Sequence, residues 1–169
     1  IALAVSDIVR VFARAGVTQA IIQSESISDE IIRVGFTISL IFGLFCCALL
    51  YSVSGLVSSL LLMESIEGIL MVMAFAFPVV SFSLVSEALL SRRLNFHAIA
   101  MARLWGYVVG YAICGLLLAY NGYGYWSLIY AYLIQQLIQS MILILKAPHS
   151  YRPLYDHVIA VRLFRFGFG

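Results

Sequence analysis

Charge is what this sequence has least of. Lys, Arg, Asp and Glu make up 11% of its 169 residues, while 63% are hydrophobic. A soluble domain carries about 25% charged residues, so this chain cannot cover a water-facing surface. That excludes a soluble globular protein and leaves an all-α, polytopic transmembrane helical bundle. Cysteine is scarce too. Cys46, Cys47 and Cys114 all lie in apolar runs, which excludes the spaced framework of a disulfide-stapled domain and makes them small packing residues. His97, His149 and His157 are scattered through polar stretches. No Cys/His cluster has metal-ligand spacing, and neither a metal nor another cofactor is expected. The net charge of +2 is too small to argue for a nucleic-acid partner. A basic start, short apolar core and cleavage site, the marks of a signal peptide, are missing. The chain opens on Ile1 and closes on Phe166 to Gly169 as though a further apolar segment were beginning, so it is expected to be a piece of a longer protein.

What is present is apolar length. Gly68 to Ser86 is a charge-free run of 19 residues, Val34 to Met63 one of 30, and Leu104 to Leu145 one of 42. About 20 residues span the hydrocarbon of a bilayer. The long run divides at Asn121-Gly-Tyr-Gly124, because Asn and Gly tolerate positive φ in turns, and Tyr120, Tyr123, Tyr125 and Trp126 cluster there as interface aromatics do. Five spans result, at about 1–19, 34–58, 68–90, 100–119 and 125–145. A loop and the start of a next helix occupy 146–169. Ser28, Asp29 and Glu30 suit a helix start, with a capping side chain and acids in the first turn. Pro78 is expected to kink its span, with Ser81, Ser83 and Ser86 helping to satisfy freed carbonyls. Gly106 and Gly110 form a GxxxG spacing suited to close packing within a bundle.

The distribution of charge then assigns sides. Ser86 to Arg103 is the longest polar interruption between the most apolar runs, and it holds Arg92, Arg93, His97 and Arg103. Alternating spans put it on one side with the loops after Gln19 and after Leu145. The loops around Glu64 and Asn121 fall on the other side and hold no Lys or Arg. Lys and Arg are retained on the cytoplasmic side, so the basic side faces the cytoplasm.

Few polar residues lie within the spans. Asp7, Arg10 and Arg14 fall at i, i+3 and i+7, one face of a helix. Either they face a watery cavity or the helix ends there and the arginines snorkel to headgroups. Gln135 and Gln139 share one face of the last span, with Gln136 and Ser140 on a neighbouring one. Mid-membrane glutamines either hold helices together or line a polar cavity. Glu64 with Glu67, and Asp156 with His157, are the nearest approaches to an acid–base pair. Both read as solvated loop residues, and no catalytic constellation emerges.

Several stretches resemble a known family. Phe12-Ala-Arg-Ala-Gly16 followed by Gln19-Ala-Ile-Ile-Gln23 is similar to the end of the second helix of bacterial polysaccharide exporters. Glu87-Ala-Leu-Leu-Ser-Arg-Arg-Leu-Asn-Phe96 resembles their loop between helices four and five. Gly122-Tyr-Gly-Tyr-Trp126 resembles their next turn, and Leu163-Phe-Arg-Phe-Gly167 the entry to helix seven. These are lipid-linked oligosaccharide flippases of the Wzx or lipopolysaccharide/colanic-acid exporter type, in one superfamily with multidrug and toxin extrusion transporters. The resemblance implies a partial N-terminal lobe of a two-lobed, non-enzymatic transporter in the bacterial inner membrane. Its implied cargo is an undecaprenyl-diphosphate-linked oligosaccharide for O-antigen, capsule or exopolysaccharide, moved by alternating access. Implied partners are that lipid-linked substrate, a polymerase and a chain-length regulator, and the spans themselves make membrane lipids a partner. The family commonly has an acidic residue where Arg14 stands, so no family role carries over to that position. Arginine suits a diphosphate through its planar fork of donors. Arg10 and Arg14 are therefore the expected diphosphate contacts, Asp7 their counter-ion, and Gln135 and Gln139 hydrogen-bond donors and acceptors for sugar. The alternatives are a drug- or cation-extruding relative, which would want an intramembrane carboxylate, a membrane acyl- or glycosyltransferase, and a non-transporting scaffold.

Overall fold

A computed structural model describes residues 28–61, 65–150, 152–154 and 156–157. The first expected span, with Asp7, Arg10 and Arg14, lies outside these residues. The described chain is helical. Helix α1 runs over Asp29–Leu61, α2 over Ser65–Ala74, α3 over Ala76–Arg92 and α4 over Phe96–Tyr107. A π-helical segment, Val108–Gly115, continues α4 into α5, Leu116–Tyr120, and α6 covers Trp126–Lys146. Taken as continuous rods, four of these are long and apolar enough to cross a membrane: Asp29–Leu60, Ile66–Arg92, Phe96–Tyr120 and Trp126–Lys146.

The local chemistry explains where the rods begin, bend and end. Helix α1 opens with the Ser28 hydroxyl accepting from the Ile31 amide at 3.4 Å, with Asp29 and Glu30 in its first turn, where acids meet the positive end of the helix dipole. The second rod breaks at Phe75, between α2 and α3. Pro78 lacks an N–H for the Ala74 carbonyl and its ring presses on that same group. Phe75 tightens locally, its amide donating to the Val72 carbonyl at 3.3 Å. The serines expected to satisfy the freed carbonyl act elsewhere. Ser81 donates to the Phe77 carbonyl at 2.9 Å, Ser83 to that of Val80 at 3.0 Å, and Ser86 across to that of Ala147 at 3.0 Å.

The polar interruption proves much shorter than the stretch 86–103. Helix α3 continues to Arg92 and α4 starts at Phe96. The turn closes by the Leu94 amide on the Ser91 carbonyl and the Asn95 amide on the Leu90 carbonyl, a Schellman pattern. Leu94 takes the left-handed position of that motif at φ 54°, a place that favours glycine. Asn95 then caps α4, its side chain accepting from the Ala98 amide at 3.2 Å. The opposite turn behaves as its sequence requires: Gly122 and Gly124 adopt φ +85° and +54°.

Without water inside a bilayer, close packing of small residues takes over from hydrophobic burial as the force between helices. Helix α1 packs on α2 and α3, while α6 lies between α3 and the rod of α4. Gly43 of α1 sits against Ser81 and the Phe77 carbonyl of α3. A Cβ on Gly106 would come within 2.9 Å of the Gln135 carbonyl oxygen, and one on Gly110 within 2.7 Å of that of Ala131. The GxxxG pair therefore seats α4 on α6. One apolar core joins Phe36, Val85, Leu89, Leu90, Ile99 and Leu143 at the basic end of the bundle. Another joins Cys46, Leu50, Leu70, Ala74 and Phe77 toward the other end. All three cysteines are free.

Candidate functional site

Among the described residues α3 and α6 each carry four of the buried polar side chains, and the buried amides are all on α6. Gln136, Gln139 and Ser140 are all buried, and their spacing of three and four places them along adjoining faces of the helix. Ser140 meets the buried Ser83 of α3, hydroxyl to hydroxyl at 3.0 Å. Gln139 packs its Cβ near Gly106, and Gln135, half-buried, lies against both Gly106 and Gly110. The two expected sugar contacts, Gln135 and Gln139, thus stand on the side of α6 that meets α4. Gln136 and Ser140 belong to the neighbouring side, with Ser140 on α3.

At the basic end stands Glu87, which lies both within the expected span 68–90 and within the polar stretch 86–103. Glu87 is in the helical part of α3 and 8% exposed. Its carboxylate accepts from Arg103 Nη2 at 2.9 Å, joining α3 to α4. Asp7 lies outside the described residues, and Glu87 is a buried acid within a membrane-length helix. Glu87 and Arg103 stand seven before and nine after Leu94, at similar heights on the two arms of a helical hairpin. That symmetry about the turn was the available signal.

The segment after α6 folds back onto the start of α1. Arg33 Nε donates to the Arg152 carbonyl at 3.0 Å, and the Leu154 amide donates to Thr37 Oγ1 at 3.0 Å. His149 is tucked beneath, its ring edge-on to Phe36 with centroids 5.7 Å apart. Its Nδ1 is 3.2 Å from Ser86 Oγ. Since Ser86 donates its proton to the Ala147 carbonyl, the geometry puts the imidazole proton on Nδ1. Burial holds the His149 pKa below its ordinary 6.5, the hydrogen bond with the Ala147 carbonyl opposing the shift. Among the described residues, Arg33, Arg92, Arg93, Arg103, Lys146 and Arg152 all belong to this end of the bundle, and none of their kind belongs to the other.

Chemically, the buried seam is a set of amides and hydroxyls with one ion pair at its end. Among the described residues no three His, Cys, Asp or Glu side chains come together in a way that could hold a metal ion. Such a seam can offer hydrogen bonds to a polar solute or hold helices together. Helices of membrane length, a polar seam between them and cations gathered at one end define a multi-span helical membrane protein. Its family follows from comparison. A family model described as polysaccharide biosynthesis protein matches residues 1–169, and the chain belongs to that family, in keeping with the resemblance to polysaccharide exporters. Comparison with curated proteins and with solved structures found no match.

Proposed function

We propose that this protein flips an undecaprenyl-diphosphate-linked oligosaccharide across the bacterial inner membrane by alternating access. The observation that carries the reading is the seam of buried amides and hydroxyls on α6 within a member of the polysaccharide biosynthesis family. Polar side chains inside a bilayer are costly and cluster along solute paths, and a sugar headgroup is a solute that amides and hydroxyls can accompany. In this reading the basic end faces the cytoplasm, where the lipid-linked substrate is made. Arg10 and Arg14 hold the diphosphate, with Asp7 beside them, and Gln135 and Gln139 contact sugar. A polymerase and a chain-length regulator would work on the product at the far face.

The test is a deletion strain complemented with the full-length gene. The expected result is that loss of the protein leaves lipid-linked oligosaccharide accumulated in the inner leaflet, and that the gene restores surface polymer. Surface polymer unchanged by deletion would sink the reading. Arg10→Ala and Arg14→Ala should each abolish restoration at normal protein abundance. Normal export by both would remove the arginines from the site.

A second reading, extrusion of cations or drugs, gains one observation in its favour. Glu87 is a buried carboxylate on a membrane-length helix, the kind of group such a transporter wants. It is committed to Arg103, so a cationic cargo would first have to displace a guanidinium. Drug-susceptibility assays with the same strains separate the two readings.

A further inference from the structure

The outer face of α4 is mostly apolar. Phe96, Ala100, Leu104 and Tyr107 are exposed and recur at the spacing of a single helical face. Arg103 stands among them, its side chain 55% exposed. Such a face on a membrane-length helix is suited to lipid, where a cation is expensive unless it meets an anion. Helix α4 has no acidic residue of its own. Arg103 lies seven residues from the start of α4, about 10 Å along it, within snorkelling reach of headgroups. Glu87 takes one of its donors and holds the guanidinium against α3. More than half of the side chain remains exposed, and a guanidinium fork is chemically suited to phosphate.

The adjoining turn has a matching composition. Arg93 and His97 are exposed. Between them Leu94 and Phe96 are 74% and 58% exposed. Leu94 holds a left-handed backbone that is unfavourable for a leucine, and this displays an apolar side chain at the tip of a basic turn. Cations interleaved with outward apolar side chains are the make-up of an interfacial anchor.

We propose that the outer face of α4 and the Arg93–Phe96 turn bind the phosphate headgroup of an anionic glycerophospholipid of the surrounding leaflet. Arg103 is the principal contact and Glu87 its positioning residue. The occupant is bilayer lipid, because Arg103 opens on the outer face whereas the buried amides lie on α6. The inference does not depend on what the protein carries.

Trp105, itself exposed and two residues beyond Arg103, is a built-in reporter. Full-length protein with every other tryptophan changed to phenylalanine is reconstituted with brominated phosphatidylglycerol or brominated phosphatidylethanolamine at equal mole fraction. The anionic lipid should quench Trp105 with about fivefold higher apparent affinity, the effect of one cation at an anionic surface. Arg103→Ala should abolish the preference. Arg103→Lys, which keeps the charge and loses the fork, should reduce it, and serves where the alanine variant fails to fold. Glu87→Gln makes the site more positive yet should lower the preference, because the fork loses its anchor. A rise in that variant would overturn the positioning role. Equal quenching by both lipids, no quenching by either, or a preference untouched by both Arg103 variants would overturn the proposal.

Discussion

Glu87 and Arg103 show how much one pair matters where water is scarce. Removing one partner leaves the other without its counter-charge, and breaking a buried or half-buried pair costs more than removing both partners. Arg103→Ala is expected to lower stability by about 1–3 kcal/mol, read as a fall in melting temperature in detergent, while Glu87→Leu with Arg103→Leu should recover most of the loss. Additive losses would mean that the pair contributes nothing. His149 supplies a pH dependence with a definite sign. Its folded pKa is depressed by burial, so its neutral form is favoured in the fold. The associated stability is complete above the ordinary value of 6.5 and is lost as pH falls from there toward the lowered folded value, by at most about 1.4 kcal/mol per pH unit. His149→Gln should flatten the melting-temperature profile over that window, and a profile identical to the unaltered protein's would exclude His149 as its source. At this scale the sequence was partly legible. The two glutamine faces of α6 followed from helical periodicity, but the pairing of Glu87 with Arg103 did not, because periodicity within one helix says nothing of which residues meet across a turn.

Among the elements, the rod from Phe96 to Tyr120 departs furthest from expectation. Its two ends and the Gly106–Gly110 seat were readable from charge, turn residues and spacing, and the break before Pro78 was readable from proline chemistry. The π-helical segment Val108–Gly115 was not, since wider turns have no propensity signature and arise where packing demands them. The demand here is visible: Gly110 and Gly115 both lie against Ala131 of α6, where a Cβ would come within 2.7 and 3.1 Å of its atoms. Gly110→Val should therefore separate α4 from α6 and destabilise the protein by about 1–3 kcal/mol. The check is thermal unfolding beside a control such as Ala100→Val on the exposed face, and equal melting temperatures would contradict the packing account.

For the whole molecule, alternation of charge was enough to sort the loops into two sets, and the fold gathers the described cations at one end accordingly. A cysteine-free protein carrying Arg93→Cys should resist a membrane-impermeant maleimide in intact cells, while Asn121→Cys should react. The opposite result would invert the topology. The lateral order of the rods was not legible, because nothing in a hydropathy pattern says that consecutive spans are neighbours. In fact α3 and α4 meet closely only near their shared turn, and α6 fills the space above. This has a consequence for synthesis. A ribosome delivers the wedge after both arms, so the α3–α4 hairpin must enter the bilayer with its arms apart and wait with Ser83, Gly106 and Gly110 facing lipid. A nascent chain arrested before Trp126 emerges should show cysteines placed at Gly106 and Ser83 accessible to a lipid-soluble thiol reagent, and release of α6 should close them. If both sites are already protected at that stage, the arms find each other first and the wedge must later prise them open.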